Sequence, residues 1–171
     1  MKLKALCIAV SLLAVPGVAA AQSPLDSLKK AAGDAGKASV EKRVNTKLTD
    51  EAKKNQCSFK TGTAELAPGC DSKLKKLANA LVDAKKQLTA AGVKSYKFEV
   101  SGHTDSTGDA AKNKKLSEER AEAIVKELVS RGIERSEINA VGFGSERPLV
   151  KPDNTEAKKA KNRRYELQVR L

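Results

Sequence analysis

The residues with the most chemical potential lie between Gly102 and Ala121. Gly102-His103-Thr104-Asp105 closes an alternating stretch, and Asn113, Ser117 and Arg120 follow at helical spacing. At 100° per residue, Leu116, Ala121, Ile124, Val125 and Leu128 share one apolar arc. Arg120 falls within that arc, with Asn113 and Ser117 on the same side, while Glu118, Glu119, Glu122, Lys126 and Glu127 face the other way. A charge turned inward is costly unless it is paired. Asp105, just ahead of the Gly108 turn, is the obvious partner. A carboxylate beside a guanidinium, near Thr104 and Asn113, suits a zwitterion: the aspartate takes an ammonium and the arginine grips a carboxylate. The same pair also reads as an internal salt bridge that only holds the turn, and chemistry alone leaves the two readings level. Asn162-Arg163-Arg164 opens the last alternating stretch. It either adds anion-binding donors at the same rim or is a solvated basic run.

Catalysis is poorly supported. His103 is the only histidine, and with Asp105 two residues on it makes half a triad with no evident nucleophile. No glycine-rich phosphate loop and no zinc-ligand spacing is present, so we expect no catalytic residue, no metal and no cofactor.

The elements that must carry these residues are legible from periodicity. Cys57, Phe59 and Thr61 alternate with polar residues as a short strand, and Asp71 or Ser72 can cap a helix bearing Leu74, Leu77, Leu81, Ala84 and Leu88, with Gly92 as its stop. Tyr96, Phe98 and Val100 mark a second strand, about Lys112 to Arg131 a second helix, and Ile138 to Phe143 a third strand. Thr155 to Lys161 suits a short helix, and Tyr165, Leu167, Val169 and Leu171 mark a fourth strand. The order β-α-β-α-β-(α)-β predicts an α+β fold: a two-layer sandwich with a four-stranded mixed sheet and helices on one face.

Residues 1–21 read as a signal peptide: Lys2 and Lys4, a short apolar run, and Ala19-Ala20-Ala21 as the cleavage signal. Cys7 sits behind bulky Leu6, which argues against lipidation. Residues 22–56 form a charged helical arm or linker, where Val40, Val44, Leu48 and Ala52 recur every four residues. That stripe is either a spacer's thin apolar side or a face that docks on an envelope partner. Residues 57–171 form the domain proper. The net charge of +12 drops to +10 with removal of Lys2 and Lys4 and favours polyanions. Export argues against nucleic acid. In an oxidising compartment the remaining pair, Cys57 and Cys70, is expected to form a disulfide. Oligomeric state is not encoded in any pattern we recognise.

Gly102-His103-Thr104-Asp105, Gly108, Asn113, Leu116-Ser117, Arg120-Ala121, Gly142-Phe143-Gly144, Pro148 and Asn162-Arg163-Arg164, in this order and spacing, resemble the OmpA-like C-terminal domain. The resemblance covers about Cys57 to Leu171. It implies non-covalent binding of peptidoglycan stem peptides through meso-diaminopimelate, in the periplasm at the cell wall or outer membrane. Residues 22–55 are too short and too charged for even one pair of barrel strands, so no barrel is expected. By position, Asp105 and Arg120 match the clamp on the free ammonium and carboxylate, Thr104 and Asn113 line the pocket, and Arg163 matches the first arginine of the closing motif. His103 matches a structural hydrogen-bonding residue. Phe59-Lys60 departs from the family's usual Phe-Asp, and the cysteine pair is not a general family feature. The alternative function is a basic periplasmic polyanion binder, or an adaptor that recruits an envelope or secretion component.

Overall fold

The computed structural model describes residues 24–171, so the leader expected over residues 1–21 lies outside the described residues. In chain order come α1 (Pro24–Lys54), α2 (Asp71–Ala90), β1 (Lys97–His103), α3 (Ala110–Ser130), a 3-10 turn (Arg135–Glu137), β2 (Ile138–Gly144), α4 (Glu156–Asn162) and β3 (Tyr165–Arg170). The sheet runs β2-β1-β3, with β1 parallel to β2 and antiparallel to β3. The mixed α+β architecture matches the expectation, with three strands in place of four.

The missing strand has a physical reason. Residues 58–67 pair with themselves: Phe59 bridges Leu66, Lys60 N–H donates to the Glu65 carbonyl at 2.9 Å, and Ala67 N–H to that of Ser58 at 2.9 Å. The outer edge of β3, where a fourth strand would lie, is taken by α1. Asn45 Oδ1 accepts the Val169 N–H at 2.6 Å, and Asn45 Nδ2 donates to the Val169 carbonyl at 3.1 Å. Gln56 Oε1 accepts the Tyr165 N–H at 3.2 Å, and its Nε2 donates to the Tyr165 carbonyl at 2.8 Å. A primary amide carries one acceptor and a pair of donors, much as a peptide group offers both, so two side chains replace part of a strand.

The stripe on α1 serves the same packing. Val40, Val44, Leu48 and Ala52 are all buried, within one core that includes Leu77, Leu81, Phe98, Val100, Ile124 and Leu167. α1 lies along β3 and α2, and α3 lies across β1 and β2. The stripe is therefore an internal surface, not a free docking face.

Helix ends depart from expectation in detail. α2 has no side-chain cap, and Asp71 instead accepts from Arg131 Nη2 at 2.7 Å. α3 begins two residues early because Asp109 Oδ1 accepts the Lys112 N–H at 2.9 Å. Thr155 caps α4 in the same way at 3.3 Å.

Candidate functional site

The position of α3 over the sheet is set by glycines. A Cβ on Gly102 would stand 2.1 Å from the Ser117 carbonyl oxygen, and one on Gly142 would stand 2.5 Å from the Glu118 nitrogen. No real side chain tolerates such distances, so the backbone of α3 rests directly on β1 and β2. Ser117 locks the contact: its hydroxyl donates to the Lys114 carbonyl at 2.7 Å and accepts the Gly144 N–H at 2.8 Å. This docking brings Asn113 and Arg120, both half-buried, beside the end of β1.

The turn after β1 is equally constrained. His103 N–H donates to the Arg164 carbonyl and Thr104 N–H to the Gly144 carbonyl, each at 2.9 Å. Asp105 Oδ1 accepts the Thr107 N–H at 2.9 Å, and Oδ2 accepts from Arg163 Nη1 at 2.8 Å. Asn113 Nδ2 donates to the Thr107 carbonyl at 2.9 Å, closing the turn from the helix side. Thr104 Oγ1 is buried without a hydrogen-bond partner among the described residues.

Thr104, Asp105, Asn113, Arg120 and Arg163 all line one cleft of about 1040 Å³. The residues singled out in the sequence thus share one cleft, but two of them pair differently from expectation. Asp105 is the partner of Arg163. Arg120 donates from Nε to the Thr63 carbonyl at 2.9 Å and stacks over the Phe59 ring, 5.1 Å from its centroid. The reason is topological: β3 is adjacent to β1, so the residue leading into β3 reaches the carboxylate first.

Charges respond accordingly. Burial pushes the Asp105 carboxyl up, but the bonds from Arg163 and Thr107 outweigh it and hold it below its ordinary value. Burial lowers the Arg120 guanidinium, helped by nearby Arg163 and opposed by Asp105. Arg163 is raised by its bonds to Asp105 and to Glu156.

The rest of the closing motif is scaffolding. Asn162 is wholly buried; its Oδ1 accepts the Leu149 and Val150 N–H groups at 2.8 and 3.0 Å, and its Nδ2 donates to Asp153 at 3.1 Å. Asp153 also accepts the Ser106 N–H at 2.9 Å, and these bonds, Ser106 first, hold its carboxyl at about 2. Arg164 pairs with Glu166, Nε to Oε1 at 2.7 Å. Sequence reasoning missed Asp153, Phe59 and Thr63. Phe59 carried a faint signal, a half-exposed aromatic in a chain with only 3 phenylalanines.

His103 corrects another expectation. Neither ring nitrogen has a hydrogen-bond partner among the described residues, and the ring stacks on Phe143 with centroids 5.5 Å apart. Burial, then Arg164, lowers its pKa to about 4, against the pull of Glu166. Cys57 and Cys70 are two buried thiols here, with Cys57 Sγ 3.9 Å from the Cys70 carbonyl oxygen, where a bridge was expected. Burial, reinforced by the neighbouring Cys70, pushes the Cys57 thiol up to about 12. Among the described residues no His/Cys/Asp/Glu cluster could hold a metal ion, and no helix is long and apolar enough to cross a membrane.

Comparison with known proteins gives a consistent result. The family model described as "OmpA family" matches residues 58–163. Outer membrane porin F of Pseudomonas fluorescens is 51% identical over 72 residues, which are 42% of this chain and 22% of porin F. Peptidoglycan-binding protein ArfA of Mycobacterium bovis is 40% identical over 70 residues, 41% of this chain and 21% of ArfA. The chain thus spans about a fifth of the length of these curated relatives. Its fold resembles the crystal structure of the peptidoglycan-associated lipoprotein from Burkholderia pseudomallei, with a TM-score of 0.55 and 24% identity, over 67% of this chain and 89% of that one.

Proposed function

The chain belongs to the OmpA family, and on that footing we propose that its cleft binds peptidoglycan non-covalently, by clamping the free end of meso-diaminopimelate in the stem peptide. One observation carries the reading. Asp105 and Arg120 line the same cleft, and Arg120 keeps both Nη groups without a hydrogen-bond partner among the described residues.

The chemistry follows from the donor set. The free end of diaminopimelate bears an ammonium and a carboxylate on one carbon. Arg120 meets the carboxylate with its two Nη groups, a charge-assisted and geometrically specific contact. Asp105 meets the ammonium; each of its oxygens has one partner, and a carboxylate accepts about four. Arg163 keeps Asp105 ionised and aimed, and Asn113 holds the turn.

The role is binding without catalysis. His103 touches no nucleophile and no orienting carboxylate within hydrogen-bond reach among the described residues. Peptidoglycan lies in the periplasm, so the chain acts there, at the wall or outer membrane. A contact with an envelope protein would use the exposed side of α1 within residues 22–56, because Val40, Val44, Leu48 and Ala52 are buried in the core.

The rival is a polyanion binder that uses the +12 charge. Sedimentation with purified diaminopimelate-type sacculi at moderate salt separates the two. A clamp requires that Asp105→Ala and Arg120→Ala each lose about 2–5 kcal/mol of binding while remaining folded. Equal sedimentation of all three proteins, with steep loss at high salt, would point to the basic surface instead.

A further inference from the structure

Arg120 is oriented by a short segment that the wall-binding reading does not otherwise use. Its Nε donates to the Thr63 carbonyl at 2.9 Å, and its guanidinium carbon lies 5.1 Å from the centroid of the Phe59 ring. A planar guanidinium held at one edge and on one face has a single free edge, that of its two Nη groups. With Nε engaged, side-on pairing through that nitrogen is closed, and a carboxylate can approach only end-on.

Both contacts come from the hairpin 58–67, whose tip, Thr61 to Thr63, is exposed. The hairpin is rooted on two buried residues. Cys57 N–H donates to the Tyr165 hydroxyl at 3.3 Å, and Cys57 Sγ lies 3.9 Å from the Cys70 carbonyl oxygen. Only non-covalent contacts close the loop while the two sulfurs remain thiols.

We propose that the 58–67 hairpin is the positioning element for Arg120, with Phe59 as its positioning residue, and that closure of Cys57 onto Cys70 fixes the hairpin and tightens wall binding. This rests on the peptidoglycan reading of the cleft. Closure is thiol–disulfide exchange with a protein disulfide as oxidant. One cysteine sulfur attacks that disulfide, forming a mixed disulfide and releasing one oxidant sulfur. The second cysteine sulfur then displaces the other. Two electrons and two protons pass to the oxidant, which leaves as a dithiol, and one Cys57–Cys70 S–S bond remains. A root fixed in advance leaves less chain to order when the ligand arrives.

The test measures binding of the purified chain to diaminopimelate-type sacculi, beside the NMR signal of the Arg120 Nε–H, assigned by its loss in Arg120→Lys. Phe59→Ala and Phe59→Leu should weaken binding roughly 2- to 30-fold, the range of a lost cation–π contact. Both should shift the Nε–H signal and speed its exchange with water, whereas Phe59→Tyr restores each. A general loss of stability would not move that one signal selectively. Dithiothreitol should weaken the oxidised wild type and leave Cys57→Ser/Cys70→Ser, already weak, unaffected. Wild-type binding and an unmoved Nε–H signal in Phe59→Ala, with Arg120→Ala inactive, would overturn the inference and leave the clamp intact. Indifference of the oxidised wild type to dithiothreitol would overturn the closure step. Failure of the wild type to bind sacculi would instead remove the peptidoglycan reading, while the Nε–H signal still reports whether Phe59 holds Arg120.

Discussion

Arg163 Nη1 holds Asp105 Oδ2 at 2.8 Å, so the carboxylate that lines the cleft is paired with the segment joining α4 to β3 and not with Arg120 on α3. The two sides of the cleft are thereby held by different partners, Asp105 chiefly by Arg163 and Arg120 by the 58–67 hairpin, while Asn113 of α3 also closes the Asp105 turn.

Arg163→Ala tests the Asp105 side. Asp105 is depressed in the folded state, so its contribution to stability is present above the unfolded value and is lost as pH falls through the folded one. The variant should lose about 1 kcal/mol at pH 7, a modest figure because Arg163 is partly exposed. Its deficit should shrink at pH 3, as read from urea midpoints at the two pH values. An equal deficit at both would mean that the ion pair is not the source.

Gly102→Ala tests the docking of α3. The added Cβ meets the Ser117 carbonyl oxygen at 2.1 Å, and neither backbone can yield without moving the helix. A loss of about 3 kcal/mol or more is expected in urea denaturation. Gly33→Ala, at an exposed position inside α1 where nothing lies within 4 Å, is the control and should gain up to about 1 kcal/mol from helix propensity.

Asn45→Ala tests the edge of β3. It removes two hydrogen bonds to the Val169 backbone and should cost about 1–3 kcal/mol. Hydrogen exchange at the Val169 amide should accelerate more than that at Leu128, in the middle of the core.

His103→Phe tests the buried imidazole. The unfolded chain takes up a proton near pH 6.5, whereas the folded chain resists until about pH 4. Stability therefore falls as pH drops through that window, by about 1–2 kcal/mol between pH 7 and pH 5. Phenylalanine keeps the stack on Phe143 and has nothing to protonate, so the variant should lack this part of the decline. Unchanged pH dependence between the two would mean that His103 is already charged when buried.

The sequence revealed what is periodic or steric. The helices with leucines at every third or fourth position, the alternating β1 and β3, and the inward side of α3 could all be read from spacing. Asp105, Arg120, Thr104, Asn113 and Arg163, singled out by spacing and family resemblance, line one cleft. What could not be read was pairing between distant segments. Nothing local tells Arg163 from Arg120 as the partner of Asp105, because that choice depends on strand order. Cys57 to Thr61 alternates like a sheet strand, but alternation does not say which edge is vacant. Asn45 and Gln56 look like ordinary polar residues of a charged helix until β3 is placed beside them.

The amides of Asn45 and Gln56 also bear on what can pair with the border of β3. A sheet ending on an open strand invites a neighbour to add its own. By laying α1 and the residues just after it along that strand, the chain turns one border of the sheet into an interior seam. Trimming it back to Cys57 would therefore not release a tidier module. It would strip the guard from the seam and leave a fragment prone to zip onto its own kind.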